Sequence, residues 1–182
     1  MATSVEKATK TLWSLDPTHS ELSFKVKHLM ITNVTGQFNV IQAKVEASDS
    51  SFNDAQVSFT ADVNSINTSN EQRDAHLKGA DFFEAEKYPN IAFVSTDYQA
   101  DSGKISGELT IKGITKSVSL DVEFSGINKD PWGNEKAGFS ITGKINRTDW
   151  GLTWNAALET GGVLVSEDVR ISAEVQFVKQ AA

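Results

Sequence analysis

The side chains best suited to chemistry stand close together in one stretch, Arg73-Asp74-Ala75-His76-Leu77-Lys78-Gly79-Ala80-Asp81-Phe82-Phe83. A guanidinium, a carboxylate and an imidazole are followed at once by two adjacent phenylalanines. On a helix, Arg73, His76 and Leu77 share one side, because residues three and four apart are neighbours. An arginine offers a two-pronged donor set to a phosphate or carboxylate. An imidazole gains or loses its proton near neutral pH. Asp74 is placed either to neutralise Arg73 or to pair with Lys78.

Two further polar residues stand where apolar ones are expected. His28 follows Val26, and Arg147 follows Ile145, each one step along the inward register of its strand. A strand end emerging into water explains such a position. So does a donor reaching the head group of a ligand. Asp149 offers Arg147 the same neutralisation that Asp74 offers Arg73. The head-group candidates are therefore His28, Arg73, His76 and Arg147.

Other chemistry finds less support. The three histidines, His19, His28 and His76, have a spacing that fits no metal-ligand motif, so no metal is expected. With no cysteine in the chain, disulfides and thiolate sites are excluded. There is no G-x-S-x-G, no phosphate-binding loop and no H-E-x-x-H. No catalytic residue or cofactor is assigned. An enzyme using His28 or His76 as general acid or base remains the alternative to a binding protein.

The elements that position these residues are strands. In Ser20–Leu29, Leu22, Phe24, Val26 and His28 fall on one face, and Glu21, Ser23, Lys25 and Lys27 on the other. The same alternation places Val34, Gly36, Phe38 and Val40 together, then Val57, Phe59, Ala61 and Val63. It returns in Ile105–Ile111, Val118–Phe124, Phe139–Ile145 and Val169–Phe177. Weaker segments near Ala43–Ala47 and Ile91–Thr96 bring the count to about eight strands. Turns at Asp101-Ser102-Gly103, Lys112-Gly113 and Asp130-Pro131-Trp132-Gly133, and a break at Gly161-Gly162, make the connections short and the pairing antiparallel. One wet face per strand excludes a parallel sheet covered on both sides. A sandwich and a closed barrel remain. Closure removes exposed edges, and about eight strands is the size that can just hold one small ligand.

The stretch containing Arg73 and His76 interrupts this pattern. Ser69 and Gln72 have the spacing of a capping box, and Gly79 is a natural stop, so a helix of roughly Asn70–Lys78 is predicted. A second helical turn is predicted over Phe82–Tyr88, before Pro89. So short a helix must rest on the barrel, and Leu77, Phe82 and Phe83 supply an apolar underside. A lid across one end is the expected arrangement.

The 182 residues fit one domain, taken as 11–179 after a loose lead-in over 1–10. A net charge of -7 argues against a nucleic-acid partner and against docking on anionic lipid by a basic patch. No apolar run reaches transmembrane length, so no stable membrane insertion is expected. The N-terminus lacks the apolar core of a signal peptide. A cytoplasmic protein is therefore expected, or a periplasmic one if the chain is a processed form.

Several blocks carry a family resemblance. They are Trp13-Ser14-Leu15-Asp16-Pro17-Thr18-His19-Ser20, then Phe24 to His28 with Gly36 and Phe38, then Arg73-Asp74-Ala75-His76-Leu77. Asp81-Phe82-Phe83, Tyr88-Pro89-Asn90-Ile91-Ala92-Phe93, Gly107 to Thr115 and Arg147-Thr148-Asp149-Trp150-Gly151 complete the set. Over Leu12–Val178 the chain resembles the YceI-like proteins. The resemblance implies an all-β, single antiparallel lipocalin-like barrel with one short helix and a helical turn near one end. It also implies non-catalytic binding, storage or transport of a polyisoprenoid, such as an isoprenoid quinone or prenyl pyrophosphate, or of a fatty chain.

The expected walls are Phe24, Val26, Phe38, Phe59, Phe82, Phe83, Phe93, Leu109, Phe124, Phe139 and Trp150. The other reading of these residues is a filled core with a purely structural role. Trp13, Trp132, Trp150 and Trp154 are expected to pack in the core or at the rim. The expected partner is an amphiphilic lipid, and the sequence leaves homodimerisation open.

Overall fold

The computed structural model describes residues 9–159 and 162–181. Most of the predicted lead-in, the Gly161 of the predicted break and the final Ala182 lie outside the described residues. The strands are β1 (Thr11–Leu15), β2 (Glu21–His28), β3 (Thr32–Phe38), β4 (Ile41–Ala47), β5 (Gln56–Asp62) and β6 (Ile66–Asn67). They continue with β7 (Asn90–Gln99), β8 (Lys104–Ile111), β9 (Ile114–Lys129), β10 (Glu135–Asn146) and β11 (Val165–Lys179). One helix, α1 (Glu71–Lys78), lies between β6 and β7.

All pairings are antiparallel, and β1-β4-β5-β7-β8-β9-β10-β11 returns to β1 as a closed ring of eight strands. The closing strand β11 pairs twice. Its first part, through Glu174, lies against β2, and Phe177–Lys179 lies against β1. Thus β1 and β2 are two halves of one interrupted wall strand. The same is true of β3 with β4 and of β5 with β6.

The interruptions have local causes. Asp16 accepts hydrogen bonds from Thr18 N (3.0 Å), Thr18 Oγ1 (2.7 Å) and Lys136 Nζ (2.8 Å), and the Nδ1 of His19 lies 2.9 Å from its carboxylate. These contacts fold Pro17–His19 into one 3-10 turn. In the next strand, the Val40 N–H donates to Ser65 Oγ and the Asp62 N–H donates to Val40 O. This contact turns Val40 outward into solvent, against the inward position predicted for it, and Ile41 takes the inward place.

The alternation otherwise holds. It also explains two strand glycines: a Cβ on Gly36 would overlap the ring of Phe24, and one on Gly107 would stand 2.6 Å from the ring of Phe93. Each glycine leaves room for a neighbouring phenylalanine ring, and Gly107 also for the close approach of the Val94 carbonyl, which a Cβ would overlap.

The predicted helix forms, but Asn70 caps it, its side chain accepting from Arg73 N at 3.0 Å. Ser69 instead takes a left-handed backbone with φ 65°. The second predicted helical turn is a single turn and does not extend into a helix: residues 79–89 run as successive turns, and the Tyr88 N–H bonds Glu84 O four residues back at 2.9 Å. Trp132, expected in the core or at the rim, stands exposed at the β9–β10 turn. Among the described residues no helix is long and apolar enough to cross a membrane.

Candidate functional site

The inward side chains do not meet along the barrel axis. Phe24, Val57, Phe59, Leu120, Ile141 and Ile171 point inward, yet each is only half-buried, because an internal cavity of about 450 Å³ lies between them. That volume is within the roughly 300–1,000 Å³ typical of ligand pockets. A completely filled core is therefore not what this sequence builds.

Nine of the eleven expected wall residues line the cavity: Phe24, Val26, Phe38, Phe59, Phe82, Phe83, Phe93, Leu109 and Phe139. Phe124 and Trp150 do not. Phe124 stacks on Phe139 (ring centroids 4.9 Å) and meets Phe52 edge-on (5.3 Å), and it is 37% exposed. It covers the end of the barrel instead of walling the tunnel. The buried Trp150 spends its Nε1–H on Leu109 O at 2.9 Å, which pins the 3-10 turn after β10 onto β8. The tryptophan that does line the cavity is Trp154.

One end is closed by aromatic rings. Phe52 is surrounded by Trp13 (5.2 Å), Phe139 (5.2 Å) and Phe124, and Phe139 meets Phe177 at 6.0 Å. Phe52 escapes sequence reasoning because it belongs to no alternating run. The only signal is a lone aromatic among the turn residues Asp49-Ser50-Ser51 and Asn53-Asp54.

The other end carries α1, residues 79–89, the β2–β3 turn and residues 151–159 and 162–165. All four head-group candidates line the cavity here, and the fold brings them together. His76 lies edge-on to Trp154 (4.9 Å) and to Phe82 (5.1 Å), with its Nε2 3.0 Å from Asp81 Oδ2. Arg73 donates from Nε to Thr68 Oγ1 and from Nη2 to Thr68 O, both at 2.7 Å. Thr68, which the sequence did not mark, also donates from N (2.9 Å) and Oγ1 (2.5 Å) to Asp74. Asp74 is thus tied to Thr68, and the predicted Asp74–Lys78 and Asp74–Arg73 pairs do not form. His28 pairs with Val165 across β2 and β11.

Arg147 behaves differently. It is 4% exposed, and its guanidinium donates to four main-chain oxygens: Ser166 (2.9 Å), Leu152 (2.5 Å), Trp154 (2.9 Å) and Val165 (3.3 Å). Asp149 is exposed and does not neutralise it. Burial makes its proton easier to lose than that of a free guanidinium, and Glu167 works against this shift. The group stays charged. Its main work is to tie Leu152 and Trp154 to the first residues of β11, which holds Trp154 against the mouth. Local spacing in the sequence does not reveal carbonyl partners drawn from two separate stretches of chain.

Among the described residues no group of three or more His, Asp or Glu is arranged to hold a metal ion. The site is an apolar tunnel with a plugged floor. Its cations and imidazoles stand at the mouth.

A family model described as the YceI-like domain matches residues 13–177. A UPF0312 protein of Staphylococcus aureus strain MSSA476 is 42% identical over 168 residues, covering 92% of this chain and 97% of the relative. The crystal structure of the Campylobacter jejuni YceI protein superposes with a TM-score of 0.73 at 36% identity, covering 85% of this chain and 90% of that one. A polyisoprenoid-binding domain from Saccharophagus degradans shares the fold at 16% identity, with a TM-score of 0.69 and coverage of 92% and 98%.

Proposed function

The chain belongs to the YceI-like family, and we propose that its tunnel holds one long-chain amphiphile, a polyisoprenoid or a fatty chain. Binding shields the ligand from water for storage or transfer and leaves it chemically unchanged. The observation that carries this reading is the segregation of the cavity, with apolar walls along its length and Arg73, His76, His28 and Arg147 at one end. Apolar walls suffice for the tail, because burial is non-directional and contributes about 0.8 kcal/mol per CH₂. Arg73, His76 and His28 orient the head, while Arg147 holds the backbone around them. Arg73 keeps donors beyond those that bind Thr68, and they suit a phosphate, carboxylate or quinone oxygen. The polyisoprenoid-binding relative of the same fold supports this choice of ligand class.

Organic extraction and native mass spectrometry of the purified protein test the reading. A long-chain lipid released in near-stoichiometric amount is the expected result. Phe83→Glu places a carboxylate in the wall near the mouth and should cut lipid uptake by more than tenfold while costing about 1 kcal/mol of stability. A lipid-free extract, or equal losses of uptake and stability, counts against the tunnel.

A further inference from the structure

The β2–β3 turn at the mouth presents Leu29, Met30 and Ile31 in succession, 39%, 52% and 77% exposed. Single exposed apolar residues are ordinary, but three in a row at a turn are not. Leu29 and Met30 hold left-handed backbone conformations, φ 54° and 59°, which L side chains adopt at a cost. The Leu29 N–H donates to Leu164 O at 2.8 Å, and Leu164 lines the tunnel. The apolar tip is therefore continuous with the apolar bore.

Charge on the adjoining outer wall is sorted. Lys144, Arg170 and Lys25 face one another directly across β10, β11 and β2, all exposed, and Lys27 stands two residues nearer the tip. Like charges directly opposite one another oppose sheet pairing, so pairing within the sheet does not account for this row. Two acids partly offset it: Asp168 lies 3.8 Å from Lys144 Nζ, and Glu167 and Asp168 occupy the β11 irregularity opposite Lys27. Further toward the closed end the same wall turns acidic, with Glu21 opposite Glu174. A chain of net charge -7 thus carries a local basic band just behind its exposed apolar tip.

We propose that this tip and basic band dock the tunnel mouth on an anionic lipid bilayer. Leu29, Met30 and Ile31 enter the interface, and Lys25, Lys27, Lys144 and Arg170 face the headgroups. Docking lets a long-chain lipid pass between bilayer and bore without crossing water. The proposal rests on the tunnel reading above. It revises the expectation drawn from net charge alone, because an anionic surface responds to local charge within a Debye length.

Flotation of the full chain with vesicles tests it, using phosphatidylcholine alone or with about 30% phosphatidylglycerol. The expected result is recovery with the anionic vesicles roughly tenfold above that with neutral ones, falling as salt rises. Met30→Glu with Ile31→Glu, and separately Lys25→Glu with Arg170→Glu, should each lower recovery about tenfold or more. All four residues are exposed, so both variants should melt like the parent and release the same amount of extracted lipid. Equal recovery on neutral and anionic vesicles, or unchanged binding by both variants, overturns the proposal. If the parent carries lipid but does not float, docking fails and the tunnel stands. If it floats and carries no lipid, docking stands and the tunnel reading fails. A change of oligomeric state in Met30→Glu/Ile31→Glu by light scattering, without vesicle binding in the parent, would make the tip a contact between copies and sink the proposal.

Discussion

Both ends of the barrel are built from aromatic residues, and they use them in opposite ways. At the closed end Phe52, Trp13, Phe139, Phe124 and Phe177 form one cluster of rings around the buried Phe52. At the mouth Phe82, Trp154 and His76 form a triad of mutual contacts, and Phe83 meets the wall residue Phe38, so an ionisable ring is built into the cluster. The supporting elements differ too. Closed-end rings project from paired strands and from one turn packed beneath them. Mouth rings project from α1, from the turns after it and from a segment held by one arginine. The closed-end cluster is purely hydrocarbon and indole, whereas the mouth cluster mixes rings with an imidazole and rests on less regular backbone.

The sharpest test of this contrast is at the floor. Phe52→Ala removes the ring that Trp13, Phe124 and Phe139 surround and should cost about 3–5 kcal/mol, read as a fall in urea midpoint. A loss under about 1 kcal/mol would mean that the floor does not hold the barrel together.

Arg147 is the mouth residue expected to behave like a floor residue. Arg147→Met leaves four main-chain oxygens without their donor and should cost about 3 kcal/mol. Arg147→Lys should recover less than half of this, because an ammonium cannot reproduce the fork. Full recovery by lysine in equilibrium unfolding would reduce the residue to a point charge.

A smaller effect is expected at the break between β1 and β2. The Lys136 ammonium, helped by Thr18 and His19, holds the Asp16 carboxyl well below the ordinary 3.8. A depressed carboxyl stabilises the folded chain fully above its unfolded value, and that stability is lost as pH falls below it. Asp16→Asn should therefore cost about 1–2 kcal/mol at pH 7, with the gap to the parent closing as pH drops below about 4. A gap independent of pH in acid unfolding would remove the carboxylate's charge from the explanation.

Much of this was legible along the chain. A period of two in Leu22-Phe24-Val26 or Val169-Ile171-Ala173-Val175-Phe177 declares which side of a strand is dry, and the structure keeps those faces. The break in that period marked α1 and gathered Arg73, His76 and Leu77 on one side. What stayed hidden involved partners distant in sequence. Val40 turns outward because Ser65 binds its N–H. Trp150 packs away because Leu109 accepts its indole proton, leaving the mouth to Trp154. Phe52 becomes a plug because β1, β9 and β10 converge on a turn that has no pattern of its own.

The amino-acid order by itself settled that this chain makes antiparallel strands with one apolar and one polar face, interrupted by one short polar helix. Only tertiary structure decided that the ring closes through the double pairing of β11, and that its centre stays open while one end is filled. The physical reason is that side-chain alternation fixes the direction each residue faces. It carries no information about how far away the opposite wall stands.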